Sequence, residues 1–219
     1  MPTSRREIYV AGGTGYVGNA LLPKLLARGH NVRALARPGS ESRLPPACRI
    51  ATGDALDAET FAPTVAGCDT YIQLVGTPHP APWKGEQFRK VDLASLKASV
   101  QAARVSGVEN FIYVSVAQPA PIMKEYVAVR KQGEQIIEAS GLRATILRPW
   151  YVLGPGHRWP YALKPAYGLM ELIPATREAA LRCGLLTLEE VVGALIWAVE
   201  HGPGSTQILD VPAMRALRF

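Results

Sequence analysis

The chain has 219 residues, a formal charge of +6 and three cysteines, a length that suits one α/β domain with a full core. Cys48, Cys68 and Cys183 lie far apart, with no C-x-x-C pair and no histidine at ligand spacing, which speaks against disulfides and metal and for a reduced, cytoplasmic setting. Residues 1–6 do not fit a signal peptide, no apolar run approaches the roughly 20 residues of a membrane helix, and the arginines are scattered, so neither membrane insertion nor nucleic-acid binding is expected.

Strand and helix patterns alternate. Glu7–Ala11 reads as a short apolar strand, followed by a glycine turn over residues 12–18. Val17, Leu21, Leu22, Leu25 and Leu26 then make a helical stripe that ends at Gly29, with Pro23 expected to bend it. Asn31–Ala36 and Arg49–Thr52 read as strands, residues 57–65 as a helix and 70–75 as a fourth strand. After a Pro-rich stretch, a long helix is predicted over 86–105, a fifth strand over 110–116 and a helix over Lys124–Ser140. Ala144–Leu147 is a sixth strand. Residues 149–174 are rich in Pro and aromatics and resist assignment. Thr187 opens a helix running to about Glu200, with Glu190 as the partner in a capping box. Residues 207–211 read as a last strand. Such alternation implies crossovers and a mostly parallel, doubly wound sheet. One domain is expected over 1–219, with residues 150–180 and the C-terminal tail as a small substrate-side cap.

The glycine turn carries the chemistry. Gly12 permits the tight turn, Gly15 lets the backbone approach a pyrophosphate, and Gly18 allows close helix–strand packing. The helix N-terminus beyond offers free N–H groups and a partial positive charge to phosphates. With a strand before it and an amphipathic helix after it, this turn has the context that dinucleotide binding requires. The second strand ends in Ala36-Arg37-Pro38, with no acid for a ribose 2′-hydroxyl. The guanidinium fork of Arg37 suits a 2′-phosphate, so NADP(H) is favoured over NAD(H), with Ser40 and Arg43 as possible helpers. Stacking of Arg37 on the adenine would serve either cofactor.

These residues resemble the atypical and extended short-chain dehydrogenase/reductases, the NAD(P)-dependent epimerase/dehydratase-like NAD(P)H-binding proteins. The similarity spans about residues 7–200 and is strongest to members related to nitrogen-metabolite regulators and the complex I accessory subunit. Gly12, Thr14, Gly15, Tyr16, Val17 and Gly18 match the family's GGTGxxG. The resemblance implies adenine contacts at Asp54 and Ala55, and a fourth strand backing the cofactor at Leu74, Val75 and Gly76. It further implies a nicotinamide-side loop at Pro149, Trp150 and Val152, and a terminal serine, Ser115, on strand five.

The family's working set is that Ser, a Tyr and a Lys four residues on. Here Ser115 and Tyr126 match, but Arg130 stands four residues after Tyr126 and Lys131 is rotated off that face. An Arg there can bond ribose hydroxyls and favour a phenolate, but it cannot relay a proton. Asp92 stands where extended members often keep an Asn. His79 and His157 are loop histidines able to line a pocket, although such residues are more often structural. Trp150, Tyr151, Trp159, Tyr161 and Tyr167 form an aromatic wall that suits a planar substrate, a minor core or a partner surface. The leading reading is an NADP(H)-dependent oxidoreductase or epimerase-like enzyme on a small organic molecule, monomeric or homodimeric. The alternatives are a non-catalytic NADP(H)-binding regulatory or assembly protein and a flavin or quinone reductase.

Overall fold

A computed structural model describes residues 5–155, 167, 170 and 172–217. Seven parallel strands form the central sheet: β1 (Glu7–Ala11), β2 (Asn31–Ala36), β3 (Arg49–Thr52), β4 (Thr70–Gln73), β5 (Asn110–Val114), β6 (Ala144–Leu147) and β9 (Gln207–Leu209). Their order is β3-β2-β1-β4-β5-β6-β9, so the direction of winding reverses between β1 and β4. A crevice at such a switch point, outside the strand C-termini, is where open α/β sheets bind ligands. A two-stranded parallel sheet joins β7 (Tyr151–Leu153) to β8 (Leu185–Thr187).

Helices cover both faces. On one side α1 (Tyr16–Ala27), α6 (Leu188–His201) and α7 (Val211–Ala216) bury Leu21, Leu25, Val192, Leu195 and Met214 against Ile8, Val10, Ile72 and Ile112. On the other, α3 (Ala94–Val105) and α4 (Lys124–Ser140) pack Leu96, Ala103 and Ile137 onto Tyr9, Tyr71, Phe111 and Tyr113. The strands are apolar on both faces because both are covered. Between these elements lie α2 (Gly85–Gln87) and α5 (Pro174–Arg182).

The four strands predicted at 7–11, 31–36, 49–52 and 144–147 have those bounds. Five other elements differ, and of these the fifth strand, predicted to run to residue 116, stops at Val114. The fourth strand stops at Gln73, because the Val75 N–H turns to the Gln73 side chain (3.2 Å) instead of the ladder. Residues 57–65 form two 3₁₀ turns, the first capped by Asp57 accepting from the Glu59 N–H. The long helix is broken in character: α2 passes into a π-helical stretch, Phe88–Leu93, before α3. The last strand ends at Leu209, because Asp210 accepts from the Ala213 N–H and Pro212 occupies the first turn of α7. Pro23 does not interrupt α1. The Thr187 capping box is present: its hydroxyl accepts from the Glu190 N–H (3.1 Å) and the Glu190 carboxylate accepts from the Thr187 N–H (2.6 Å).

Candidate active site

The glycine turn lies at the switch point, wedged between β1 and the end of β4. Gly12 has φ +91°, and a Cβ there would sit 2.8 Å from the backbone of Leu74 and Val75. At Gly15 a Cβ would meet the Gly12 carbonyl oxygen at 3.2 Å. At Gly18 it would lie 2.5 Å from the carbonyl oxygens of both Gly12 and Gly13. Gly12 and Gly18 therefore exclude side chains for packing reasons, Gly15 leaves only a tight fit for one, and the turn presents bare backbone at the start of α1. The Gly15 N–H bonds the Gly12 carbonyl (3.1 Å), which closes the loop. A Cβ-free cradle opening a helix fits a pyrophosphate.

Arg37 is exposed just past the end of β2. Arg43 donates to the Thr14 carbonyl (3.0 Å), so a second guanidinium crosses to the turn. Asp54 and Ala55 follow β3, and Asp54 accepts from the Leu56 N–H (3.0 Å). Val17 and Leu74 pack against the main core, while Val152 and Leu188 join the same cluster from β7 and α6. The Tyr16 hydroxyl lies against Gly154, so the loop after β7 reaches over the glycine turn. Trp150 and Tyr151 meet edge to face at 5.5 Å, and Pro149 takes the Ala117 N–H on its carbonyl (2.9 Å). His157, Trp159 and Tyr161 lie outside the described residues.

Tyr126 and Arg130 share one face of α4. The guanidinium of Arg130 lies 5.0 Å from the centroid of the Tyr126 ring, and Phe88 packs against the same ring at 4.8 Å. Burial pushes the Tyr126 phenol above its ordinary value of 10.0, with the Arg130 charge opposing. Arg130 itself is 6% exposed. It donates to Asp92 (2.5 Å), the Val114 carbonyl (2.9 Å) and the Tyr113 hydroxyl (3.3 Å). Burial alone would lower the Arg130 pKa, but Tyr113, Tyr126 and Asp92 outweigh it and the net shift is upward.

Asp92 was singled out in the sequence as a departure without a role, and its partner was not identified. It sits on the π-helical stretch, and its second oxygen accepts from the Thr77 N–H (2.9 Å) and hydroxyl (2.6 Å). Gly76 lies above the pair, where a Cβ would meet an Arg130 nitrogen at 2.6 Å. A continuous path of contact thus runs from Gly12 through Leu74, Val75 and Gly76 to Arg130 and Tyr126.

Ser115 belongs to a second buried cluster that the sequence reading missed. Its hydroxyl donates to Glu134 (2.5 Å), which also accepts from Gln118 (2.7 Å) and, through both oxygens, from Arg148 (3.0 and 2.5 Å). The one available signal was Arg148 of the Leu-Arg-Pro run, whose fork suits a carboxylate. Among the described residues no group of His, Cys, Asp and Glu is arranged to hold a metal ion.

Comparison with known proteins agrees with this geometry. The model of a family described as NAD(P)H-binding matches residues 12–160. Similar curated proteins include a 3-diazoavenalumate denitrifying reductase from a Streptomyces species, 30% identical over 93% of this chain and 76% of its own. They also include a ceramide reductase from Caulobacter vibrioides, 24% identical over 88% of this chain and 61% of its own. The chain spans 33% to 76% of the length of such relatives. Among solved structures, the Bordetella bronchiseptica enzyme WbmH in complex with NAD+ superposes with a TM-score of 0.69 at 17% identity. That match covers 94% of this chain and 75% of WbmH, and at such identity it speaks for the fold. No helix among the described residues is long and apolar enough to cross a membrane. With its glycine cradle at the sheet's switch point and two thirds of its length matched, the chain belongs to the NAD(P)H-binding family and has a Rossmann-type fold.

Proposed function

We propose that this protein is an NADP(H)-dependent reductase of a small organic carbonyl compound, with Tyr126 as its proton donor. The observation that carries this reading is the setting of Tyr126. Tyr126 lies in the wall of a cleft on the glycine-turn side of the sheet with the Arg130 guanidinium 5.0 Å from its ring, where a neutral phenol can give its proton to a carbonyl oxygen that is gaining charge. Reduction needs that acid, whereas oxidation of an alcohol would need the phenolate. When bound, the dinucleotide supplies the hydride. Gly12, Thr14, Gly15, Tyr16, Val17 and Gly18 hold its pyrophosphate, with Asp54 and Ala55 toward the adenine. Leu74, Val75, Gly76, Pro149, Trp150 and Val152 form its back and nicotinamide side. Arg37, with Arg43 beside the turn, supports a 2′-phosphate. The Ser115 hydroxyl donates its hydrogen bond to Glu134, so it has none left for the substrate, and Tyr126 alone donates to the carbonyl oxygen. Arg130 holds the Tyr126 ring in place and relays no proton.

Relatives of this chain carry reductase names, including a 4-hydroxy-2-methyl-3-oxo-4-farnesyl-3,4-dihydroquinoline-1-oxide ketoreductase from Stigmatella aurantiaca, which supports the reaction class. A binding-only protein is the second reading, because the Arg130 donors described above are directed to protein atoms rather than to a ribose. Titration with NADPH and NADH, followed by turnover of aldehydes and ketones by wild type and Tyr126→Phe, separates the two. Reduction that falls by about 100-fold or more in Tyr126→Phe, at unchanged NADPH affinity, is the expected result. Turnover that survives the substitution removes the tyrosine mechanism. Tighter binding of NADH than of NADPH ends the case for Arg37.

A further inference from the structure

A second concavity opens against Tyr126. A cleft of about 370 Å³ lies between the loops that follow β4 and β5, with Pro82, Phe88, Pro121, Ile122, Met123 and Tyr126 in its wall. Both loops leave the carboxyl ends of the strands, the side on which the glycine turn also lies. The floor is a separate small core in which buried Phe88, Leu93 and Val129 carry Met123 and Tyr126. Its rim sets exposed apolar side chains beside the charged Lys124 and Glu125: Ile122 is 50% exposed, and Trp83, next in the chain to Pro82, is 83% exposed. Of the charged residues in the wall, Glu125 is already paired with Arg89 at 2.7 Å.

The backbone at the cleft is also unusual. Among the described residues the non-glycine residues with positive φ are His79 (φ 49°) and Met123 (φ 60°), one in each bordering loop. Such conformations persist only where the surroundings over-determine them, and they gather at ligand clamps. Met123 sits between the rim residue Ile122 and the start of α4, where its carbonyl accepts from the Val127 N–H (3.0 Å).

We propose that this cleft seats the apolar body of the substrate, an aromatic group of one or two rings bearing the carbonyl that Tyr126 protonates. The volume is near the lower end of the roughly 300–1,000 Å³ of small-molecule pockets, which suits a compact ring system rather than a long chain. The carbonyl part of this statement rests on the reductase reading; the ring-binding part does not.

The test uses the NADPH-loaded protein labelled with ¹³C-methyl methionine and 2-acetonaphthone as the probe. Loss of a peak in Met123→Leu assigns the reporter, and the core residue Met214 is the internal control. A saturable shift at Met123, none at Met214, and an apparent Kd at least about tenfold weaker in Ile122→Glu are expected, since a charge at the rim opposes an apolar ligand. Cyclohexanone should bind at least about tenfold more weakly than 2-acetonaphthone, having less apolar surface to bury. A silent Met123, or equal affinity in wild type and Ile122→Glu, overturns the proposal. Turnover separates the two claims: a probe that shifts Met123 but is never reduced leaves the cleft standing and sinks the reductase reading. Reduction with a KM unmoved by Ile122→Glu does the reverse.

Discussion

Removing the Asp92 carboxylate gives a direct measure of the buried pair beside Tyr126. The Asp92 side chain is fully buried and that of Arg130 is 7% exposed. In Asp92→Ala the guanidinium keeps its bonds to Val114 and Tyr113 but loses its counter-charge, and the Thr77 N–H loses its acceptor. Breaking a buried ion pair from one side costs about 3–5 kcal/mol. With an unfolding entropy of about 2.1 cal/mol/K per residue, roughly 460 cal/mol/K for this chain, that cost lowers Tm by about 7–11 °C. Asp92→Asn keeps an acceptor for Thr77 and should fall between Asp92→Ala and wild type. The double variant Asp92→Leu/Arg130→Met removes both charges, so it should be less destabilised than the sum of the two single changes. Calorimetric melts of wild type, Asp92→Ala, Asp92→Asn, Asp92→Leu, Arg130→Met and the double variant provide the measurement. Two results would refute the reasoning: a cost for Asp92→Ala below about 1 kcal/mol, typical of a solvated pair, or single-variant costs that add within about 0.5 kcal/mol.

Four further outcomes follow from the same packing. Gly18→Ala places a methyl against two backbone carbonyls that cannot turn aside, so it should cost about 1–3 kcal/mol and weaken NADPH binding. Gly204→Ala, with open space around it, should stay within about 0.5 kcal/mol of wild type in urea melts. At high pH, Tyr9 and Tyr113 are pushed by burial to about 12 from 10.0, so the folded state keeps protons that the unfolded chain releases. Stability should therefore fall as pH rises from about 10 through 12, by roughly 1 kcal/mol per tyrosine at pH 11. Free titration of all eight tyrosines near pH 10, followed at 295 nm with the fold intact, would contradict this. Asp92 is one of the groups that raise the Tyr126 pKa, so Asp92→Asn should move the alkaline limb of the reduction rate to lower pH. An unmoved limb would mean that the phenol does not feel that charge.

The parts of the fold set by local chemistry were readable from the sequence. The glycine turn, the strand before it and the Thr187 capping box each depend on residues a few positions apart. Two misread strand ends turn on a side chain that competes with the backbone pattern. Gln73 takes the Val75 N–H and ends β4, and Asp210 with Pro212 starts a helix where a strand was expected. The π-helical stretch at Phe88–Leu93 was not legible, since one loosened turn leaves an apolar stripe nearly unchanged. In the site, Tyr126 and Arg130 could be paired because i and i+4 share a helix face. Asp92 and Arg130 are 38 positions apart, and Ser115 and Glu134 are 19 apart, so only the packing of the π-helical stretch, α4 and the end of β5 reveals them as partners.

That pairing turns two departures from the family pattern into one device. An Arg in place of the Lys puts a permanent cation against the Tyr126 ring, and alone it would stabilise the phenolate. Asp92 sets a carboxylate on the far side of the same guanidinium and offsets that field. The net charge beside the phenol is then near zero, burial dominates, and the proton stays on Tyr126. A site arranged in this way gives up a proton only to an oxygen that is becoming an alkoxide, since that acceptor is far more basic than water. The same pair fixes the ring from beneath, because Arg130 is held at Asp92, Tyr113 and Val114 and has little freedom to follow a moving substrate. On the proposed reductase reading, the Arg130–Asp92 pair therefore holds Tyr126 as a proton donor without requiring a relay.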